Sequence, residues 1–282
     1  MVRSVRAGRN KQPIRLFGKD LQLLNITLPS PSILEAGTVE THATEGIATI
    51  QFAHPKSNSL PGALLSQLAE AIRLAGEDSS VRVIVIRSAG TGPFCGGASF
   101  DEFRAIRNED EGRHFFSGFA RVTLAMIRAP KFVIARVQGK TAGGGVGLIA
   151  ASDYAVGVTG AAVKLSEIAV GIGPFVVGPV IQKKIGLAAF GALAVEGDWR
   201  NAEWAERHGL FAEVLSDHAA LDTRVDALAR RFAGYHSEAV LRLKEVLWSG
   251  TEDWPTLLAS RAGISGHLVL SEYTRAAINR TS

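Results

Sequence analysis

Cysteine is nearly absent from this 282-residue chain, which holds Cys95 alone. One thiol excludes an intrachain disulfide and a cysteine-built metal cluster, and it fits a reducing, cytoplasmic compartment best. Long apolar runs are missing as well. Gly, Lys or Asp interrupts every stretch before the roughly 18 apolar residues that a membrane span requires, so no membrane partner is expected. The N-terminus lacks the apolar core of a secretory signal, although its Arg-rich, acid-poor composition also suits an organellar transit peptide. No fixed-period repeat and no low-complexity tract is visible. The seven histidines (His42, His54, His114, His208, His218, His236 and His267) are scattered and pair with no nucleophile motif. Neither a metal site nor a resident cofactor is expected from them.

What is present is ordinary globular material, with 46% hydrophobic and 21% charged residues, enough to bury a large core. The formal charge of +4 is local. Arg3, Arg6, Arg9, Lys11, Arg15 and Lys19 all precede the first acid, Asp20, and the chain beyond them is mildly acidic. No aromatic residues are interleaved with these cations for base stacking, so nucleic acid is not an expected partner. Residues 1–38 carry no sustained periodicity and include the Pro29–Pro31 run, which predicts a basic, flexible arm.

The pattern changes near Val39. Residues 46–52 alternate as a sheet strand does. Pro61 to Gly76 places Leu64, Leu65, Leu68, Ala71, Ile72 and Ala75 at helical spacing, and Val81 to Arg87 is a β-branched run suited to a buried strand. A second helix follows through Phe115, Phe116, Phe119, Val122, Leu124 and Ile127 up to Pro130, with a strand from Lys131 to Val137. A short helix then runs into Ser152-Asp153, before a strand at Tyr154 to Val158. Strand and helix in alternation predict an α/β core over 39–225. Beyond Ala202 the pattern is almost wholly helical (219–232, 237–248, 254–279), which marks 226–282 as a helical C-terminal region. Trp248 and Trp254 are expected to pack within it.

Gly143-Gly144-Gly145, with Gly147, is poorly explained by packing alone. A P-loop ending in Gly139-Lys140-Thr141 would need a glycine where Ile134 stands. A dinucleotide fingerprint would leave a helix of about eight residues before the next strand, too short for a βαβ unit of about 30. A triple glycine at a helix start instead offers free N–H groups at the positive end of the helix dipole, which makes an anion site, or else a tight helix–strand turn. A second glycine-rich turn, Phe94-Cys95-Gly96-Gly97-Ala98-Ser99-Phe100, precedes a helix, and two such turns can converge on one ligand.

These two segments, the turn Pro55-Lys56-Ser57-Asn58-Ser59-Leu60 and the stretch Ala205 to Val214 occur in the order of the crotonase, or enoyl-CoA hydratase/isomerase, superfamily, which the chain resembles from about Gly46 to Val214. The resemblance implies a crotonase fold of repeated ββα units in a superhelical core with a helical C-terminal trimerisation region. It implies an acyl-CoA thioester as partner, with coenzyme A as part of the substrate, and a homotrimer or homohexamer. The N–H groups of Ala98 and Gly144 would form an oxyanion hole, and Lys56, Ser57, Gly96, Phe100 and Gly143 would lie against the acyl-CoA. Glu167, matched through Gly171 and Pro174 to the family's Pro-Glu-x-x-x-Gly-x-x-Pro segment, would transfer protons. Pressed between Leu165 and Ile168, its carboxyl suits a raised pKa, whereas an isolated glutamate at a strand end is often a solvated charge.

The chain departs from the family at four places. Ser166 replaces a proline, Ser99 a frequent aspartate, and Gly147 stands where the hydratases carry a second glutamate. The C-terminal helix lacks the Gly-x-x-Ala-Phe ending. Hydration of a 2-enoyl-CoA is the first expectation. Δ3,Δ2-enoyl-CoA isomerisation by one glutamate is an alternative, and decarboxylation, thioester hydrolysis, or a non-catalytic acyl-CoA binder or scaffold subunit also remain open.

Overall fold

The computed structural model describes residues 37–280, so the basic arm expected over 1–38 lies, up to residue 36, outside the described residues. Strand β1 (Thr38–Thr44) pairs antiparallel with β2 (Ile47–Ala53). Glu45 and Gly46 both take left-handed φ angles, 49° and 78°, as a two-residue primed hairpin turn requires. From β2 onward the sheet is parallel: β3 (Val83–Ser88), β4 (Phe132–Val137), β6 (Tyr154–Val158) and β9 (Glu213–Leu215) complete the order β1-β2-β3-β4-β6-β9. Every residue of β4 is buried, so it reads as a continuous apolar run rather than an alternating one. Its one charged member, Arg136, is paired with Asp222 through Nε to Oδ1 at 2.6 Å.

Helix α1 (Gly62–Glu77) packs on β1, β2 and β3 through Leu64, Leu65, Leu68 and Ile72. Two helices follow β3. The short α2 (Phe100–Ala105) is capped by the Ser99 side chain, and α3 (Glu109–Arg128) by Asn108, whose Oδ1 accepts from Glu111 N at 2.9 Å. Helix α4 (Gly144–Ala151) is buried along its whole length, which is why it carries no polar residue.

A second, three-stranded sheet positions the site. Its strands are β5 (Thr141–Ala142), β7 (Ala162–Lys164) and β8 (Arg200–Asn201), with β5 parallel and β8 antiparallel to β7. The end of β5 delivers Gly143 and Gly144, and the end of β7 delivers Glu167.

The C-terminal half holds α5 (Gly178–Glu196, broken at Gly186), α6 (Ala202–Arg207), α7 (His218–Ala233), α8 (Ser237–Leu247), α9 (Trp254–Leu268) and α10 (Glu272–Arg280). Trp248 and Trp254 are buried, as expected of packing residues. The expected helix over 254–279 is two helices, divided at Val269–Ser271, where the Ser271 hydroxyl accepts from Thr274 N at 3.2 Å and starts a new cap. Helix α9 lies along α3, and α10 folds back onto α2 and the turn after Glu167. Among the described residues, no helix is long and apolar enough to cross a membrane.

Candidate active site

The two glycine-rich turns converge. Phe94 N donates to Lys140 O at 2.9 Å and Ala142 N to Cys95 O at 2.9 Å, which lays the first turn beside β5. Gly96 N donates to Ser57 O at 2.8 Å and Leu60 N to Gly97 O at 2.8 Å, which ties the same turn to residues 54–60. Gly97 has φ 90°, and a Cβ there would come within 3.0 Å of Ala142 O, so glycine is needed both for conformation and for approach.

Gly143 also takes a left-handed φ, 53°, and its N–H donates to Lys164 O at 2.9 Å, fixing the helix start against the strand that leads to Glu167. The amides of Ala98 and Gly144 make no hydrogen bond among the described residues. The Gly144 amide sits in the first turn of α4, where backbone donors lack helical partners. A Cβ on Gly144 would fall 2.1 Å from Phe119 Cε1, so no side chain fits between this turn and the ring.

Glu167 stands at the start of a single 3-10 turn, Ile168–Val170. The residue is half-buried as a whole, but its Oε2 is shut off from solvent with no partner among the described residues. Burial pushes its carboxyl up from 4.5 to about 7, against a smaller opposing effect of its own backbone N–H. A Cβ at Gly143 would lie 3.2 Å from Glu167 Oε1, which places the carboxyl directly over the glycine turn. Gly171, with φ 80°, ends that turn, and a Cβ there would meet Thr274 Oγ1 at 2.6 Å, so α10 braces Glu167 from behind.

One pocket collects these groups. Gly96, Ala98, Phe100, Gly143, Gly144 and Glu167 line it, joined by residues that sequence reasoning did not assign to a site: Phe103, Phe116, Phe119, Ser166, Phe175, Val177 and Ser265. The Phe-rich pattern of α3 was legible only as core spacing, because nothing in the period separates a ring that fills the core from one that walls a cavity. Lys56 and Ser57 are not on the lining. Ser57 holds Gly96 through its carbonyl, and the Lys56 ammonium, exposed, is paired with Asp101. Cys95 is buried, and burial pushes its thiol up to about 12, which removes thiolate chemistry near neutral pH.

At position 147, where the resemblance places the hydratases' second glutamate, a Cβ would come within 2.5 Å of Val177 Cγ1. The space is filled by an apolar pocket wall. Among the described residues, Glu167 is the only carboxylate and the only titratable group on the lining.

Fold and site together define an α/β protein in which Ala98, Gly144 and the buried carboxyl of Glu167 line one largely apolar pocket. Residues 42–265 match the family model of enoyl-CoA hydratase/isomerase, and the chain belongs to that family. It is 29% identical over 235 residues to a probable enoyl-CoA hydratase of Mycobacterium leprae, covering 80% of this chain and 79% of the relative. It is 27% identical over 205 residues to the 1,2-epoxyphenylacetyl-CoA isomerase of Escherichia coli, covering 68% of this chain and 75% of that protein. The crystal structure of an enoyl-CoA hydratase from Bacillus halodurans shares the fold, with a TM-score of 0.79 at 21% identity over 86% of this chain and 99% of that one. The α/β crotonase fold expected from the motifs is thus the fold observed.

Proposed function

We propose that the protein processes an acyl-CoA thioester through an enolate held by the N–H groups of Ala98 and Gly144, with Glu167 as the acid–base group, and that the reaction is hydration of a 2-enoyl-CoA. The observation that supports this reading is that Ala98 and Gly144, whose amides make no hydrogen bond among the described residues, line a single pocket with the buried carboxyl of Glu167. As water adds at C3, ionised Glu167 takes its proton, the thioester oxygen gains negative charge, and the two amides stabilise that charge without reorganising. Glu167 then returns a proton to C2. Losing one such amide donor costs typically about 3 kcal/mol of barrier. Gly96, Phe100 and Gly143 flank the thioester, and Lys56 and Ser57 lie toward the coenzyme A portion. No step draws on a resident metal or redox cofactor. Relatives named as probable enoyl-CoA hydratases support the reaction class.

A second reading is Δ3,Δ2-enoyl-CoA isomerisation, favoured by Val177 in the space of the second carboxylate. A lone base removes a proton and returns it two carbons away with no water to hold. A homotrimer or homohexamer belongs to the same proposal. Helix α5 turns Leu187 and Val195 outward at 69% and 81% exposure, an apolar face suited to a second copy of the chain.

Mass spectrometry of 2-enoyl- and 3-enoyl-CoA substrates incubated with the protein in deuterated water separates these outcomes. Addition of one water, lost in Glu167→Gln, supports hydration. A migrated double bond with solvent deuterium on an otherwise unchanged skeleton supports isomerisation. Tight binding with no change in any substrate contradicts both in favour of a non-catalytic binder.

A further inference from the structure

One polar group on the pocket wall has no part in that chemistry. Ser265, on α9, is 1% exposed and lines the same pocket as Ala98 and Glu167. Its hydroxyl makes no hydrogen bond among the described residues. Several hydroxyls of the chain do find partners: Ser66 and Ser117 bond back to the carbonyl four residues earlier, at 3.0 and 2.7 Å, and buried Thr251 bonds to Trp248 O at 2.7 Å; Thr123 Oγ1 does not, but it lies off the pocket lining. The place of Ser265 is held by its neighbour. A Cβ on Gly112 of α3 would fall 2.7 Å from Gly266 Cα, so the two helices touch backbone to backbone beside this serine. Around it the pocket is aromatic, with Phe103 and Phe116 packed at 5.4 Å between ring centroids.

A hydroxyl left with almost no contact with water and no protein partner is unfavourable, and a ligand atom that pairs with it in the pocket reduces that penalty. Among the described residues no Lys, Arg or His lines the pocket, so none of them would pair a carboxylate entering here. We infer that Ser265 is a specificity-determining residue that pairs with an uncharged polar group, a hydroxyl or carbonyl, on the acyl portion of the thioester. The protein thereby favours acyl-CoA substrates bearing such a group over plain hydrocarbon chains of equal size, because a hydrocarbon would leave the serine unpaired. This inference rests on the reading that the pocket receives the acyl group.

The test measures dissociation constants of matched probes: butanoyl-CoA against 4-hydroxybutanoyl-CoA, and phenylacetyl-CoA against 4-hydroxyphenylacetyl-CoA. The wild-type protein is expected to bind the hydroxylated member of at least one pair about ten-fold or more tightly. Ser265→Ala should abolish that preference and leave the plain probe bound as well or better. Because the hydroxyl has no protein partner to lose, the variant should melt no lower than the wild type. Equal binding within both pairs, or an equal loss for both members in the variant, overturns the role of Ser265 alone. Failure of every acyl-CoA probe to bind overturns the acyl-CoA reading as well.

Discussion

Burying the Glu167 carboxyl disfavours its charged form, which sets both a kinetic and a thermodynamic signature. The proposed chemistry needs the ionised group, so kcat/KM should rise with pH through an apparent value near 7, and Glu167→Gln should lack that ascending limb. The linked stability runs the other way. With the folded value raised from 4.5 to about 7, the native state binds more protons than the unfolded chain inside that window. Stability is then full below about 4.5 and falls as pH rises through about 7, by up to about 3 kcal/mol. Thermal melts should show Glu167→Gln gaining on the wild type between pH 5 and 8. A gap independent of pH would contradict the buried carboxyl. Motif order made Glu167, Ala98 and Gly144 legible in the sequence. Ser265 was not, since a serine in an apolar helix has no local signal of which cavity its hydroxyl meets.

Elements decide how the site is held, and here sequence and structure part in instructive places. Helices α1, α3 and α4 and strands β2, β3, β4 and β6 follow from period and β-branched runs. Helix α5 does not, because Leu187, Ala188, Ala192 and Val195 are exposed where a surface helix should be polar, and Gly186 breaks it with φ 78°. Strand β1 escapes notice because TVETHAT is largely exposed and polar on both sides. Strands β5, β7, β8 and β9 are two or three residues long, below any readable period. The crossing of α3 and α9 at Gly112 and Gly266 yields a prediction at this scale. Gly112→Ala puts a methyl into a backbone, which should separate the helices and cost about 1–3 kcal/mol of stability by denaturant unfolding, with looser acyl-CoA binding. Wild-type stability in that variant would mean the contact is not close in solution.

Across the whole molecule, a buried polar hub ties the C-terminal helices to the parallel sheet. Lys244 Nζ sits 2.9 Å from Asp153 Oδ2 and donates to Met126 O and Lys131 O at 2.8 and 2.7 Å, while Asp153 accepts from Trp248 Nε1 at 2.9 Å and Val133 N at 2.7 Å. Burial pushes the Lys244 amine down, partly offset by Asp153. Lys244→Ala leaves a carboxylate uncompensated and should destabilise the fold by about 3–5 kcal/mol, read from the urea midpoint; a loss under about 1 kcal/mol would mean the pair is not buried. The helical nature of this region was legible from its periodicity. Its anchoring was not, because a lysine on an amphipathic helix ordinarily reads as solvated.

The central claim is that Glu167 moves the proton while the amides of Ala98 and Gly144 hold the charge. A single-turnover measurement on a 2-enoyl-CoA, with the dissociation constant taken alongside for wild type and Glu167→Gln, tests it most directly. The account predicts a rate at least about 100-fold lower in the variant with binding unchanged within a few-fold. An undiminished rate in Glu167→Gln would contradict it.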